Sequence, residues 1–240
     1  MSKPPRIDRK TLKTPDQFVK KGQLFVGFLA SQQSRFLPIL ILGLLILLGV
    51  YGFDWWSGKK LTNGWVTYQE AMRAPEAERT EKLKKVFETT RLSRPSLFAA
   101  VNVADHYFDE AKKDLLKAPS APSANATQAV EWYNKALEHK DLLVAEKQLL
   151  LVNRGGAQEM QQKLDDALVS YREAADLTGD GKGLAMLHVG RALELKREPA
   201  KAIETYEKVS ADFNNTEYAK VAKNNLRRMK SPNFSATPKS

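Results

Sequence analysis

Cysteine does not occur in the 240 residues. Its absence excludes disulfides, thiol catalysis, cysteine–zinc sites and a lipidated N-terminal cysteine. Histidine is scarce. His106, His139 and His188 each stand alone, with no second histidine one helical turn away. Asp109 and Glu110, which follow His106, read as a solvated helix face. Beyond Asp54 there are no alternating apolar–polar runs and no hairpin dipeptides, so no strand is expected there.

Two loop motifs also fail. The stretch "DLTGDGKGL" lacks the G-x4-G-K-[ST] order of a phosphate loop and has no strand before it. As a calcium loop, Asp176, Thr178, Asp180 and Gly181 fit the first half, but the twelfth position is Leu187 where a bidentate glutamate is needed. It reads as a turn between helices. No catalytic, cofactor or metal residue is assigned, and the expectation is a protein that is not an enzyme.

Charge is present but unevenly placed. Residues 1–35 hold eight Lys/Arg against Asp8 and Asp16, and from residue 220 onward there are six Lys/Arg and no acid. The net charge of +10 therefore sits at the two ends, and the body between them is nearly neutral. A nucleic-acid-binding domain would carry its cations on a face of the body, so no nucleic acid is expected. Basic ends suit membrane topology better.

One long apolar run exists. "FLPILILGLLILLGVYGF" covers 36–53 without a charge. As a helix, 18 residues rise roughly 27 Å, close to the hydrocarbon thickness of a bilayer. Trp55 and Trp56 follow, as residues of a membrane interface do. Pro38 is expected in the first turn. A buried core helix would show a polar face, and a cleaved signal peptide would have a shorter basic region and a small-residue cleavage site. The reading is a membrane helix over 36–56. It follows a basic cytoplasmic segment over 1–35, in which Phe18, Phe25, Phe28 and Leu29 share one face of an interfacial helix or of a helix docked on a partner. The positive-inside rule places 57–240 across the membrane.

The remainder has helical spacing throughout. Helices are expected near 62–74, 76–90, 95–117, 126–140, 143–161, 163–177, 182–197, 199–211 and 216–230, with a disordered tail over 231–240. One pattern recurs: "AVEWYNKA" at 129–136, "ALVSYREA" at 167–174 and "AIETYEKV" at 202–209, spaced by 38 and 35 residues. Small, aromatic and small residues at i, i+4 and i+7 share a helix face. Gly155 precedes Ala167 by 12 residues, and Gly190 precedes Ala202 by the same 12. A mid-helix glycine costs about 1 kcal/mol relative to alanine, so two at one offset point to close antiparallel helix pairs.

This spacing resembles the tetratricopeptide repeat. Residues 148–182 and 183–216 match best, at Gly155, Ala167, Tyr171 and Ala174 and at Gly190, Ala202, Tyr206 and Val209. They depart from it at Leu151 and Met186, where tryptophan is usual, and at Gly179 and Asn214, where proline is. The unit ending at Ala136 matches only in its second helix. The fold class expected is all-α: one N-terminal membrane helix, then a tetratricopeptide-like solenoid over 57–230. The layout, with "TPDQF" before the span and "GWVTYQEAM" (Trp65, Tyr68, Ala71) after it, resembles the ancillary Sec-translocon subunit family of bacterial inner membranes. That resemblance implies a periplasmic repeat domain beside the translocon, with exported proteins or chaperones as partners. Anchored scaffolds of envelope biogenesis or cell division share the layout, and a regulatory subunit of a membrane enzyme stays open beside them. In such a solenoid the first helices line the concave wall, here with Leu149, Val152, Leu187, Arg191 and Glu194 as the candidate peptide groove.

The topology is testable directly. Alkaline phosphatase fused after Ser240 is expected to be active, as an exported enzyme is. A fusion that reports only from the cytoplasm would sink the assigned orientation.

Overall fold

The computed structural model describes residues 33–231 apart from 92 and 120, together with residues 20, 21, 23, 24 and 27. The amphipathic face expected from Phe18, Phe25, Phe28 and Leu29 and the tail beyond 231 lie outside the described residues. All regular structure among them is α-helical. The helices are α1 (Gln33–Arg73), α2 (Glu76–Thr89), α3 (Arg94–Lys117), α4 (Ala124–Leu137), α5 (Val144–Met160), α6 (Leu164–Asp176), α7 (Lys182–Leu195), α8 (Pro199–Asp212) and α9 (Glu217–Met229).

The chain divides into two compact units, Met1–Lys59 and Lys60–Ser240. The division falls inside α1. Sequence spacing suggested a membrane helix and a separate repeat helix, whereas one helix runs through Gly58, Asn63 and Gly64. Gly64 is buried, and a Cβ there would lie 3.2 Å from the Pro95 ring, so its role is close packing. Pro38 lies beyond the first turn of this helix. Among the described residues no helix is long and apolar enough to cross a membrane. Side chains of the apolar run are described over 41–53, and all of them are exposed.

In the second unit each helix from α2 packs on the next, and on one side α3 meets α5, α5 meets α7 and α7 meets α9. The alternate helices α4, α6 and α8 stay apart from one another. The unit is therefore a stack of helix pairs whose first helices form the inner, tighter side. Two apolar cores fill it. One joins Leu83, Val86, Leu97, Val103, Trp132, Tyr133 and Leu150. The other joins Leu151, Leu168, Tyr171, Leu193, Tyr206 and Val209. Helix α5 feeds both, Leu150 into the first and Leu151 into the second.

The pairing rests on tyrosine over glycine. Tyr133, Tyr171 and Tyr206 are among the largest fully buried side chains. A Cβ added at Gly155 would stand 2.5 Å from the Tyr171 ring, and one at Gly190 would stand 2.5 Å from the Tyr206 ring. Hydrogen takes the place of a methyl so that an aromatic ring can press against the opposing backbone. Ala167 and Ala202, one turn before the rings, are fully buried.

The turns repeat as well. Gln162 and Arg197, 35 residues apart, both adopt φ 62°. The amide after each closes a six-residue loop, Lys163 N–H to Gln158 O at 2.9 Å and Glu198 N–H to Leu193 O at 2.9 Å. This is a Schellman-type helix end built without glycine. Between the pairs, the "TGDGKG" turn is held by Gln148. Its buried amide donates to the Ala174 and Leu177 carbonyls at 3.2 and 3.1 Å, and its Oε1 accepts from Gly181 N–H at 3.2 Å. A Cβ at Gly179 or Gly181 would meet that Oε1 within 3 Å. The turn is thus a structural latch with neither phosphate-loop nor calcium-loop form.

Gly155→Ala tests the ring-on-glycine contact. Helix propensity favours the substitution by about 1 kcal/mol, and overpacking opposes it by about 1–3 kcal/mol. The expected outcome is net destabilisation in urea melts, with Ala167→Leu worse. A rise in the melting midpoint for Gly155→Ala would show that the ring can yield.

Candidate protein-binding groove

The inner side carries a groove of about 510 Å3 between α3, α5 and α7. Helix α3 contributes Phe108, Lys112 and Leu115, helix α5 contributes Leu149, Val152 and Met160, and helix α7 contributes Leu184, His188, Arg191 and Leu195. Leu149 and Leu195 are more than half exposed.

Of the five residues that spacing put in a groove, Leu149, Val152 and Arg191 come together here. Val152 is nearly covered and forms floor. Leu187 and Glu194 do not line it. Leu187 packs against the second core, and Glu194 turns toward Tyr206 and Arg228. The eight repeat-pattern residues, Gly155, Ala167, Tyr171, Ala174, Gly190, Ala202, Tyr206 and Val209, are all buried. They are scaffold, and none lines this groove.

Glu194 belongs to a polar feature that periodicity alone did not suggest. Tyr171 O–H donates to Glu159 Oε1 at 2.9 Å, and Arg191 Nη2 donates to Glu159 Oε2. One unit on, Tyr206 O–H donates to Glu194 Oε1 at 2.6 Å, and Arg228 Nη2 donates to Glu194 Oε2. In the first pair Tyr133 O–H donates to Asp105 Oδ1 at 2.6 Å, and Asn153 of α5 bonds the same hydroxyl. Each rung joins the second helix of a pair, its own first helix and the first helix of the next pair. The sequence did hold a signal: a glutamate stands four residues after each of Gly155 and Gly190.

Burial sets the electrostatics. It raises the Glu159 carboxyl above its ordinary range, against the opposing pull of Arg191 and Tyr171. It also raises Asp105, which the Tyr133 hydroxyl partly offsets. The three tyrosine hydroxyls are pushed up by burial first and their acid partners second, so they remain donors. His188 stacks on Tyr171 with ring centroids 5.0 Å apart. Burial first and the Arg191 charge second push its imidazole down to about 4. It is neutral at pH 7, and its Nδ1 is buried without a partner among the described residues. Among the described residues no group of three or more acidic or histidine side chains is placed to hold a metal ion.

Against known proteins, the chain matches no family model, and no curated protein is significantly similar to it.

The shifted imidazole has a measurable consequence. Unfolded His188 titrates near 6.5 and folded His188 near 4. As pH falls through that window, the unfolded state takes up a proton that the folded state refuses. The contribution is complete above pH 6.5 and lost on the way to 4. Glu159 acts in the opposite direction, because its raised pKa favours the folded state as the carboxyl protonates. His188→Gln is expected to lose less stability than the parent across this range in urea melts. Parallel profiles for the two would refute the assignment.

Proposed function

We propose that this chain is a non-catalytic, membrane-tethered interaction protein whose helical-repeat domain binds other proteins outside the cytoplasm. In this reading the helices are tetratricopeptide-like pairs. The run over 36–53 is a single membrane anchor, the N-terminus is cytoplasmic and the repeat domain is periplasmic. The groove receives an apolar segment of an exported protein or of a chaperone beside the Sec translocon.

The observation that carries the reading is the inner groove itself. Its exposed Leu149 and Leu195, with Phe108 and Leu184 beside them, form a concave apolar surface rimmed by Lys112 and Arg191. Concave apolar surfaces edged by charge are the form in which repeat proteins take peptides and partner helices. The single long apolar run and its basic N-terminal flank support the tether. The interlocked rungs support a preformed surface, which lowers the ordering cost of binding.

A photoreactive amino acid placed at Leu149 in the full chain, expressed in bacterial membranes, is expected to crosslink translocon subunits, chaperones or exported proteins. The same group at Val169, exposed on α6, should not. Leu149→Glu should lower co-purification of those proteins about tenfold or more, since it sets a charge in an apolar contact. Equal crosslinking from both positions, or recovery of no envelope protein from either, would remove this function.

A further inference from the structure

The outer side carries a second cleft with different chemistry. The backbones of helices α6 and α8 stay apart, and a cleft of about 350 Å3 opens between them with α7 as its floor. Met186, Val189 and Leu193 form that floor. The rim holds Arg172 and Asp176 from α6, Lys182 from the start of α7, and Lys201, Glu204 and Lys208 from α8. That is four cations against two carboxylates.

Several lysines of this unit hold an acid on their own helix, as in Lys112–Asp109, Lys113–Glu110, Lys135–Glu131 and Lys220–Glu217, while others, such as Lys85 near Glu81 and Glu88, do not. The cleft gathers three cations of the second kind. Arg172, Lys182 and Lys208 are exposed, and among the described residues no ion pair involves them. Lys208 has Glu204 one turn before it and still makes no pair within 4 Å. Three unpaired cations thus surround an apolar floor.

The geometry points to a second binding surface, on the outer side between α6 and α8, for an extended acidic peptide segment with apolar side chains at alternate positions. An extended chain directs successive side chains to opposite faces. Apolar side chains on one face fill the space over Met186, Val189 and Leu193. Carboxylates on the other face and at the edges reach Arg172, Lys182 and Lys208 as charge-assisted hydrogen-bond acceptors. Asp176 and Glu204 then accept backbone N–H groups of the same segment. A surface of anionic lipid headgroups fits less well. It would bring phosphates against Asp176 and Glu204 and leave the apolar floor unfilled. The surface is independent of the inner groove, since no residue lines both.

The test uses the full chain in neutral detergent and fluorescence anisotropy with a labelled peptide of alternating glutamate and leucine. Two control peptides replace glutamate by lysine or leucine by serine. The glutamate–leucine peptide is expected to bind about tenfold or more tighter than either control, and to weaken as salt rises. The double variant Arg172→Glu/Lys208→Glu should lose that preference while keeping the parent's melting curve, because both side chains are exposed and unpaired. Leu149→Glu should leave this binding unchanged, which separates it from the inner groove. The proposal is overturned if the peptide does not bind, if the double variant binds it equally well, or if Leu149→Glu abolishes binding. It is also overturned if phosphatidylglycerol nanodiscs, and not the peptide, protect Lys182 and Lys208 from acetylation.

Discussion

A tyrosine ring lying where a methyl group would have been is the contact on which the rest depends. Tyr171 over Gly155 and Tyr206 over Gly190 set how near two antiparallel helices come. Each glycine weakens its own helix by about 1 kcal/mol, and burial of a whole aromatic ring offsets this. The same ring then carries its hydroxyl to an acid of the first helix, Glu159 or Glu194. That acid is in turn held by an arginine of the following first helix, Arg191 or Arg228. Spacing within a pair and attachment between pairs are thus properties of one side chain.

The asymmetry of the stack follows. First helices meet along the inner side and second helices do not meet along the outer side. The inner groove is mostly apolar, with Lys112, Arg191 and the largely buried Glu159 as its charged residues and with a histidine that burial keeps neutral. The outer cleft has an apolar floor under a ring of charges. One helix, α7, serves both, with Leu184, His188, Arg191 and Leu195 turned inward and Met186, Val189 and Leu193 turned outward. These are the two faces that a helical period of 3.6 separates.

Much of this was readable from the chain alone. Helix after helix ends within a few residues of where apolar spacing and breakers put it. The small–aromatic–small pattern marked Ala167, Tyr171 and Ala174 as buried scaffold. Two things were not readable. Spacing ends the membrane helix at 56 and opens the next near 62, yet α1 runs without interruption from Gln33 to Arg73. Spacing also told which face Leu187 and Glu194 occupy, but not which neighbour that face meets. Leu187 faces the core and Glu194 faces a tyrosine twelve residues away and an arginine thirty-four away. Contacts at such separations leave no trace in a period of three to four residues.

Helix α5 supplies adjacent leucines to two different cores. A stack joined in this way has no single centre. Loosening that starts at Met229 can travel through the second core and stop at α5, whose other face is still held by Trp132, Tyr133 and Val103. In hydrogen exchange the unit should therefore divide into two cooperative blocks that share one helix. The amides of α5 open last, because both blocks must let go before that helix can.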